Sequence, residues 1–271
     1  MKILHSPRDP RRLTLVTMEP SRRHGRRRAP PTRNSRGRDR TARMRSKNTS
    51  ERTAPTGQAA VHLSDDVVEE LRATARPGKA DIAIKVLSEA AAAFAEEDYS
   101  TAIRLGEQAK HMALRSVSAR ELLGLAYYRA GRWQEAAREL AAFKRISGTT
   151  DQNPVLADCQ RAMGKPQRAL ELCDEIEERS SSPTVAYEGA IVAAGALADM
   201  DRLDDAIRRL ERLDLRPAVA EAHHVRLWYM LADLLERRGR YTQAKEWFSA
   251  AAAADPDLTD APERASRLRT R

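Results

Sequence analysis

Aromatic residues make up only 4% of this 271-residue chain, and it has two cysteines, Cys159 and Cys173. Two thiols are too few for a disulfide framework or a zinc cluster, so buried, reduced thiols in a cytosolic compartment are expected. Long apolar runs are absent as well. The longest nearly uncharged stretch, Gly189 to Ala198, is Ala/Gly-rich and too short to span a bilayer. Leu13 to Val16 falls below the apolar core of a signal peptide. A soluble, cytoplasmic protein with no membrane partner follows as the expectation. No stretch alternates apolar and polar residues with β-branched enrichment, so strands are not expected either.

Motifs of catalysis are missing too. Arg76-Pro77-Gly78-Lys79-Ala80 lacks the glycine spacing and the hydroxyl of a phosphate-binding loop. No Gly-x-Ser-x-Gly elbow occurs. His223 and His224 are adjacent, so they point to different sides of a helix and cannot form an i, i+4 metal pair. The expectation is a non-enzymatic protein with no cofactor, no metal and no catalytic residues.

What the chain does have is Ala, Leu and charge, a composition that favours helix because these side chains lose little rotamer freedom there. It also has a period. Tyr99-x-x-Ala102 recurs 34 residues later as Trp133-x-x-Ala136, then with drift as Pro166-x-x-Ala169, Leu203-x-x-Ala206 and Tyr241-x-x-Ala244. The last two steps stretch to 37 and 38 residues, and the additions are assigned to loops around 179–182 and 216–221. Self-similarity at this period marks stacked helix pairs. The spacing predicts an N-terminal helix opening at Ser64, where Asp65 and Asp66 oppose the helix dipole favourably and Val67, Val68 and Leu71 supply an apolar face. Five helix pairs follow. They turn at Glu97-Asp98, Gly131, Gly164-Lys165-Pro166, Asp201 and Gly239, and a short last helix runs near 261–268.

The second unit reads Leu123-Gly124-x-x-Tyr127-x-x-x-Gly131-x-Trp133-x-x-Ala136-x-x-x-Leu140. The fifth reads Trp228-x-x-Leu231-Ala232-x-x-Leu235-x-x-x-Gly239-x-Tyr241-x-x-Ala244-x-x-x-Phe248-x-x-Ala251, then Asp255-Pro256. Small Gly124 or Ala232 lets two helices approach. Trp133 and Tyr241 are expected to fill the space between helices, with Ala136 and Ala244 receiving a large neighbour. These residues resemble the tetratricopeptide repeat (TPR) over about 80–256. The first, third and fourth units are degenerate: Pro166 replaces the aromatic after the third turn, and Asp201 replaces the fourth turn's glycine. The resemblance implies an all-α, right-handed superhelical solenoid of about five TPR-like helix pairs. The domains are then a disordered basic arm (1–60), a capping helix and linker (61–79), the repeats (80–256), and a capping helix and tail (257–271).

In that family the first helix of each pair lines the concave face. The resemblance implies a face holding a protein or peptide segment, with Leu87 and Phe94 from the first unit and Glu121, Leu125, Tyr128 and Arg129 from the second. Asp158 and Arg161 come from the third, Ile191 from the fourth, and Arg226, Tyr229, Asp233 and Arg237 from the fifth. Ile84, Leu87 and Phe94 fit a second reading equally: they pack on the helix of Val67 and Leu71. The Lys/Asn clamp that some relatives place on a C-terminal carboxylate is missing, since its positions carry Leu87, Glu121, Pro154, Ile191 and Tyr229.

The arm holds 17 Lys+Arg against 4 Asp+Glu, while residues 61–271 hold 31 against 35. Arg22, Arg23, Arg26, Arg27 and Arg28 form its densest clusters. Such a segment cannot bury enough apolar surface to offset ordering. It is read either as a solvated tail or as a nucleic-acid grip through phosphate neutralisation. Two facts count against the grip: Arg outnumbers Lys 40 to 8 across the whole chain, and the arm has no aromatics interleaved with its Arg. The start site (Met1, Met18 or Met44) and the oligomeric state stay open.

Overall fold

A computed structural model describes residues 62–179, 182–257 and 259–268. The arm expected over 1–60, with Arg22, Arg23, Arg26, Arg27 and Arg28, lies outside the described residues. Twelve helices and no strand occur among the described residues. They are α1 (Asp65–Thr74), α2 (Ala80–Ala95), α3 (Tyr99–Met112), α4 (Val117–Arg129), α5 (Trp133–Ser147), α6 (Asn153–Ala162), α7 (Pro166–Arg179), α8 (Pro183–Asp199), α9 (Leu203–Glu211), α10 (Ala222–Arg237), α11 (Tyr241–Ala254) and α12 (Ala261–Arg267). Among the described residues no helix is long and apolar enough to cross a membrane.

α2 to α11 form five antiparallel hairpins, and one local device makes every turn. Its apex residue is left-handed: Glu97 (φ 62°), Gly131 (72°), Gly164 (72°), Asp201 (61°) and Gly239 (83°). The residue after each apex donates its N–H to the carbonyl five positions back. These bonds are Asp98 to Ala93, Arg132 to Tyr127, Lys165 to Gln160, Arg202 to Leu197 and Arg240 to Leu235, at 2.8–2.9 Å. This six-to-one bond satisfies a carbonyl the helix end would otherwise orphan. Asp201 holds the glycine position because Asp tolerates the left-handed region better than most residues.

Each first helix touches the next first helix in the order α2, α4, α6, α8, α10, and no two second helices touch comparably. The array therefore curves with its first helices inside. Close approach within the second pair depends on Gly124, where a Cβ would sit 2.6 Å from the Leu140 side chain of α5. Ala136 and Ala244 are fully buried, as their expected role requires.

Three expectations need correction. The long step between the third and fourth units lies in α8, which has 17 residues against 10 in α6 and 13 in α4, and not in a longer loop at 179–182. The step into the fifth unit does lie in the 212–221 loop. Tyr241 does not fill a gap between helices; it is 48% exposed. Trp133 packs edge-on against Tyr128, five residues earlier, and Tyr99 does the same against Phe94. The residue five before Tyr241 is Glu236, which is committed to Arg264, so Tyr241 has no ring to pack on. Ser64 stands at the N-cap of α1 in extended backbone, but its side chain makes no capping bond.

α1 lies against α2 and α4, burying Leu63, Val67 and Leu71 in one cluster with Leu87 and Phe94. Glu70 fastens it: its carboxylate accepts from Ser116 Oγ (3.2 Å), Val117 N (2.9 Å) and Ser118 N (3.3 Å), capping α4 across 46 to 48 residues of sequence.

Candidate functional site

The face built by α2, α4, α6, α8 and α10 is where the candidate partner-binding residues fall, and they divide by exposure. Leu87, Phe94, Glu121 and Leu125 are buried, at 0%, 7%, 4% and 3% exposure. The apolar N-terminal end thus serves the chain's own packing, as the second reading of Leu87 and Phe94 anticipated, because α1 occupies it. Glu121 accepts from Gln152 Nε2 at 2.7 Å and ties α4 to the start of α6. These four are removed from the set a partner can touch; Arg129 and Ile191 are half-buried.

In the middle of the face, polar side chains join three successive first helices. Tyr128 of α4 donates its hydroxyl to Asp158 Oδ2 of α6 at 2.7 Å. Arg161, one turn further along α6, donates to Asp158 Oδ1 at 2.8 Å and to Asp199 Oδ2 of α8 at 2.9 Å. Its guanidinium lies over Gly195, where a Cβ would approach Cζ to 2.8 Å. The side chains of Arg161, Asp158 and Asp199 remain 28%, 22% and 42% exposed. Burial, then the Asp158 carboxylate, pushes the Tyr128 phenol well above its usual range. Burial works against the charged Arg161, but hydrogen bonds and attraction from Asp199 and Asp158 outweigh it and raise its pKa.

Towards the C-terminal end, Arg226 of α10 donates Nε to Glu188 Oε1 of α8 at 2.8 Å. Glu188 is fully buried, its Oε2 has no partner, and burial raises its pKa although Arg226 opposes the shift. Tyr229 donates to Asp260 Oδ1 at 2.6 Å. Arg264 of α12 pairs with Asp233 at 2.8 Å and with Glu236, and its guanidinium stacks 4.3 Å from the Phe248 ring centroid. Arg237 is 44% exposed and meets Asp233 at 3.9 Å. Sequence reasoning missed Arg264, Asp260 and Gln152. The signal for the first two was positional: α12 begins where another repeat's first helix would.

Two other groups are drawn into packing. His223 and His224 pack against Tyr187, tilted and edge-on, with ring centroids 4.4 and 4.9 Å away, and His224 Nδ1 accepts from the Glu221 N–H at 3.0 Å. Burial, then the neighbouring His224, lowers the His223 pKa to about 4. Cys159 and Cys173 are buried free thiols, each pushed up to about 12 chiefly by burial. Among the described residues no group of His, Cys, Asp and Glu is placed to hold a metal ion.

Two tetratricopeptide repeat models match the sequence, one over residues 87–148 and one over residues 197–271. A thermophilic TPR protein from Thermus thermophilus is similar in structure, with a TM-score of 0.55 and 18% identity, covering 69% of this chain and 98% of that one. A set of nearly identical TPR-like repeats from Podosopora anserina is similar at a TM-score of 0.50 and 19% identity, covering 62% of this chain and 92% of that one. At these identities the likeness shows the fold. No curated protein matches.

Proposed function

We propose that this chain, which belongs to the tetratricopeptide repeat family, is a non-enzymatic scaffold whose first-helix face holds a segment of a partner protein. The observation that carries the reading is the half-exposed line of Asp158, Arg161 and Asp199 across α6 and α8, beside Ile191. It offers charges of both signs next to an apolar side chain on a concave, helix-lined surface. A partner helix or extended segment with alternating polar and apolar side chains suits such a surface. Exposed Arg237 extends it towards the C-terminal end.

Capture of partners from native lysate on the full chain, followed by crosslinking and mass spectrometry, tests this. Partner crosslinks should fall on α6, α8 and α10, and both Ile191→Asp and Arg237→Glu should weaken capture. Capture unchanged by both substitutions refutes the reading.

The charge of the arm supports a second reading, in which a nucleic acid is held through phosphates by Arg22, Arg23, Arg26, Arg27 and Arg28. Binding to RNA or DNA should then fall steeply with salt and vanish when residues 1–60 are removed; retention after removal excludes it.

A further inference from the structure

The buried apolar side chains form two clusters, and the boundary between them runs along a single helix, α8. Val192, Ala193 and Ala196 belong to the cluster of α1 to α7. Ala190, Ala194, Leu197 and Ala198 belong to the cluster of α9 to α12. Outside α8 itself, Leu170 packs against both.

α8 is fastened firmly on its C-terminal side. The buried Glu188–Arg226 pair and the ring contacts of Tyr187 with His223 and His224 bind it to α10. On the other side its surface is built of small residues. Both of its glycines face that way, with Ile176 of α7 over Gly189 and the Arg161 guanidinium over Gly195. Val192, Ala193 and Ala196 complete the apolar part of that surface, and Asp199 lies at its rim. This side is joined by the Ile176 and Arg161 side chains seated over the glycines, by small apolar residues and by half-exposed ion pairs, whereas the α10 side has a buried ion pair and ring contacts. Among the described residues, Arg161–Asp199 on the inner rim and Arg209–Asp174 between α9 and α7 cross this seam, both at 2.9 Å. Each has a carboxylate about half exposed to solvent, at 42% and 51%.

We infer that the array bends where α8 meets α6 and α7, as two rigid blocks, and that Arg161–Asp199 is the latch that sets the angle between them. The curvature of the first-helix face then depends on that half-exposed pair at its inner rim. Releasing it lets α8 and everything after it move together. A slide of about 1.5 Å between helices roughly 9 Å apart turns one block by about 10°. Three helix layers out, that displacement reaches about 4–5 Å.

Distances between spin labels in the full chain test this. Lys85→Cys on α2 and Glu246→Cys on α11 place labels on opposite blocks, and the buried native thiols stay unlabelled. Lys85→Cys with Gln134→Cys on α5 reports within one block. Asp199→Asn should shift or broaden the cross-seam distance by about 4–5 Å and leave the within-block distance unchanged; raising salt to about 0.5 M, where exposed pairs are screened, should do the same. Asp204→Asn removes the comparably exposed Asp204–Arg238 pair inside the second block and should change neither distance. A cross-seam distance that ignores Asp199→Asn, or a within-block distance that changes equally, overturns the inference. If Asp199→Asn does not fold, the salt series decides, and a salt-independent distance overturns it. All readings are on the free protein, so their failure removes the hinge and leaves the partner-binding proposal standing on its own capture experiment.

Discussion

Replacing Gly124 by Ala should destabilise the protein, although the same change at Gly106 should stabilise it. Both glycines lie inside helices, α4 and α3. Each Gly→Ala change gains about 1 kcal/mol of helix propensity. The surroundings decide the sign. At Gly106 a Cβ would meet the terminal Leu123 Cδ1 at 3.2 Å and Leu123 Cβ at 3.5 Å, which a few tenths of an ångström of side-chain movement relieves. At Gly124 it would meet Leu140 Cδ2 at 2.6 Å, Cγ at 2.7 Å and the Leu140 backbone nitrogen at 3.4 Å. Leu140 is fully buried. Rotating the end of its side chain does not move Cγ, so the side chain must leave its rotamer or α5 must shift by about 1 Å. Overpacking of this kind costs about 1–3 kcal/mol. With side chain and backbone both approached, the upper half of that range applies, leaving a net loss of about 1–2 kcal/mol. In a chain of this size 1 kcal/mol moves Tm by about 2–4 °C. Circular dichroism at 222 nm during heating and urea titration reads both variants. Gly106→Ala should melt at or slightly above wild type, and Gly124→Ala below it. Shifts of the same sign at both positions refute the claim that close approach of α4 and α5 holds the second unit together.

Three further outcomes follow from the same packing. His223 has a folded pKa of about 4 against an ordinary 6.5, so the folded state disfavours its protonation; the stability this contributes is complete above pH 6.5 and declines as pH falls towards 4, by about 2 kcal/mol at pH 5. His223→Asn should flatten the change in urea midpoint between pH 7 and 5. Glu70→Ala removes three accepted bonds from the start of α4 and should cost about 1–2 kcal/mol, with hydrogen exchange in α1 accelerating before exchange in α2. Arg264→Ala strips two acidic partners and a stacked ring from α12, so exchange protection in α12 should fall while α4 and α5 stay protected.

How much of this was legible depended on how local each feature is. The left-handed turns could be read at Gly131, Gly164 and Gly239, and inferred at Asp201, because a turn is settled by the residue at its apex. The helices themselves followed from the period. The rungs of the inner face did not. Tyr128 reaches Asp158 across 30 residues, and Arg161 reaches Asp199 across 38. Periodicity tells which face a residue is on but not which neighbour the stacking brings opposite it. The irregular length of α8 changes that register by whole turns. Tyr241 shows the same limit in one residue: it holds the motif position of Trp133, yet its environment was decided by Glu236, which the motif does not specify.

The polar rungs carry a consequence for recognition. A carboxylate from a partner that approached Arg161 would meet a guanidinium already shared by Asp158 and Asp199, whose two negative charges exceed its one positive charge. Such an ion pair exchanges one acidic neighbour for another, and exposed exchanges of this kind are worth about 0–1 kcal/mol. If the face binds as proposed, its affinity would come from apolar contact, for which half-buried Ile191 is available, and from fit to the curvature. The charges act on that fit. Under the proposed latch, a partner cation drawn to Asp199 would compete with Arg161 for the pair across the seam, and a ligand's charge would alter the shape of the proposed binding surface. The same residues would then set both the geometry of the groove and its response to occupancy. Such an arrangement would gain selectivity rather than strength from electrostatics.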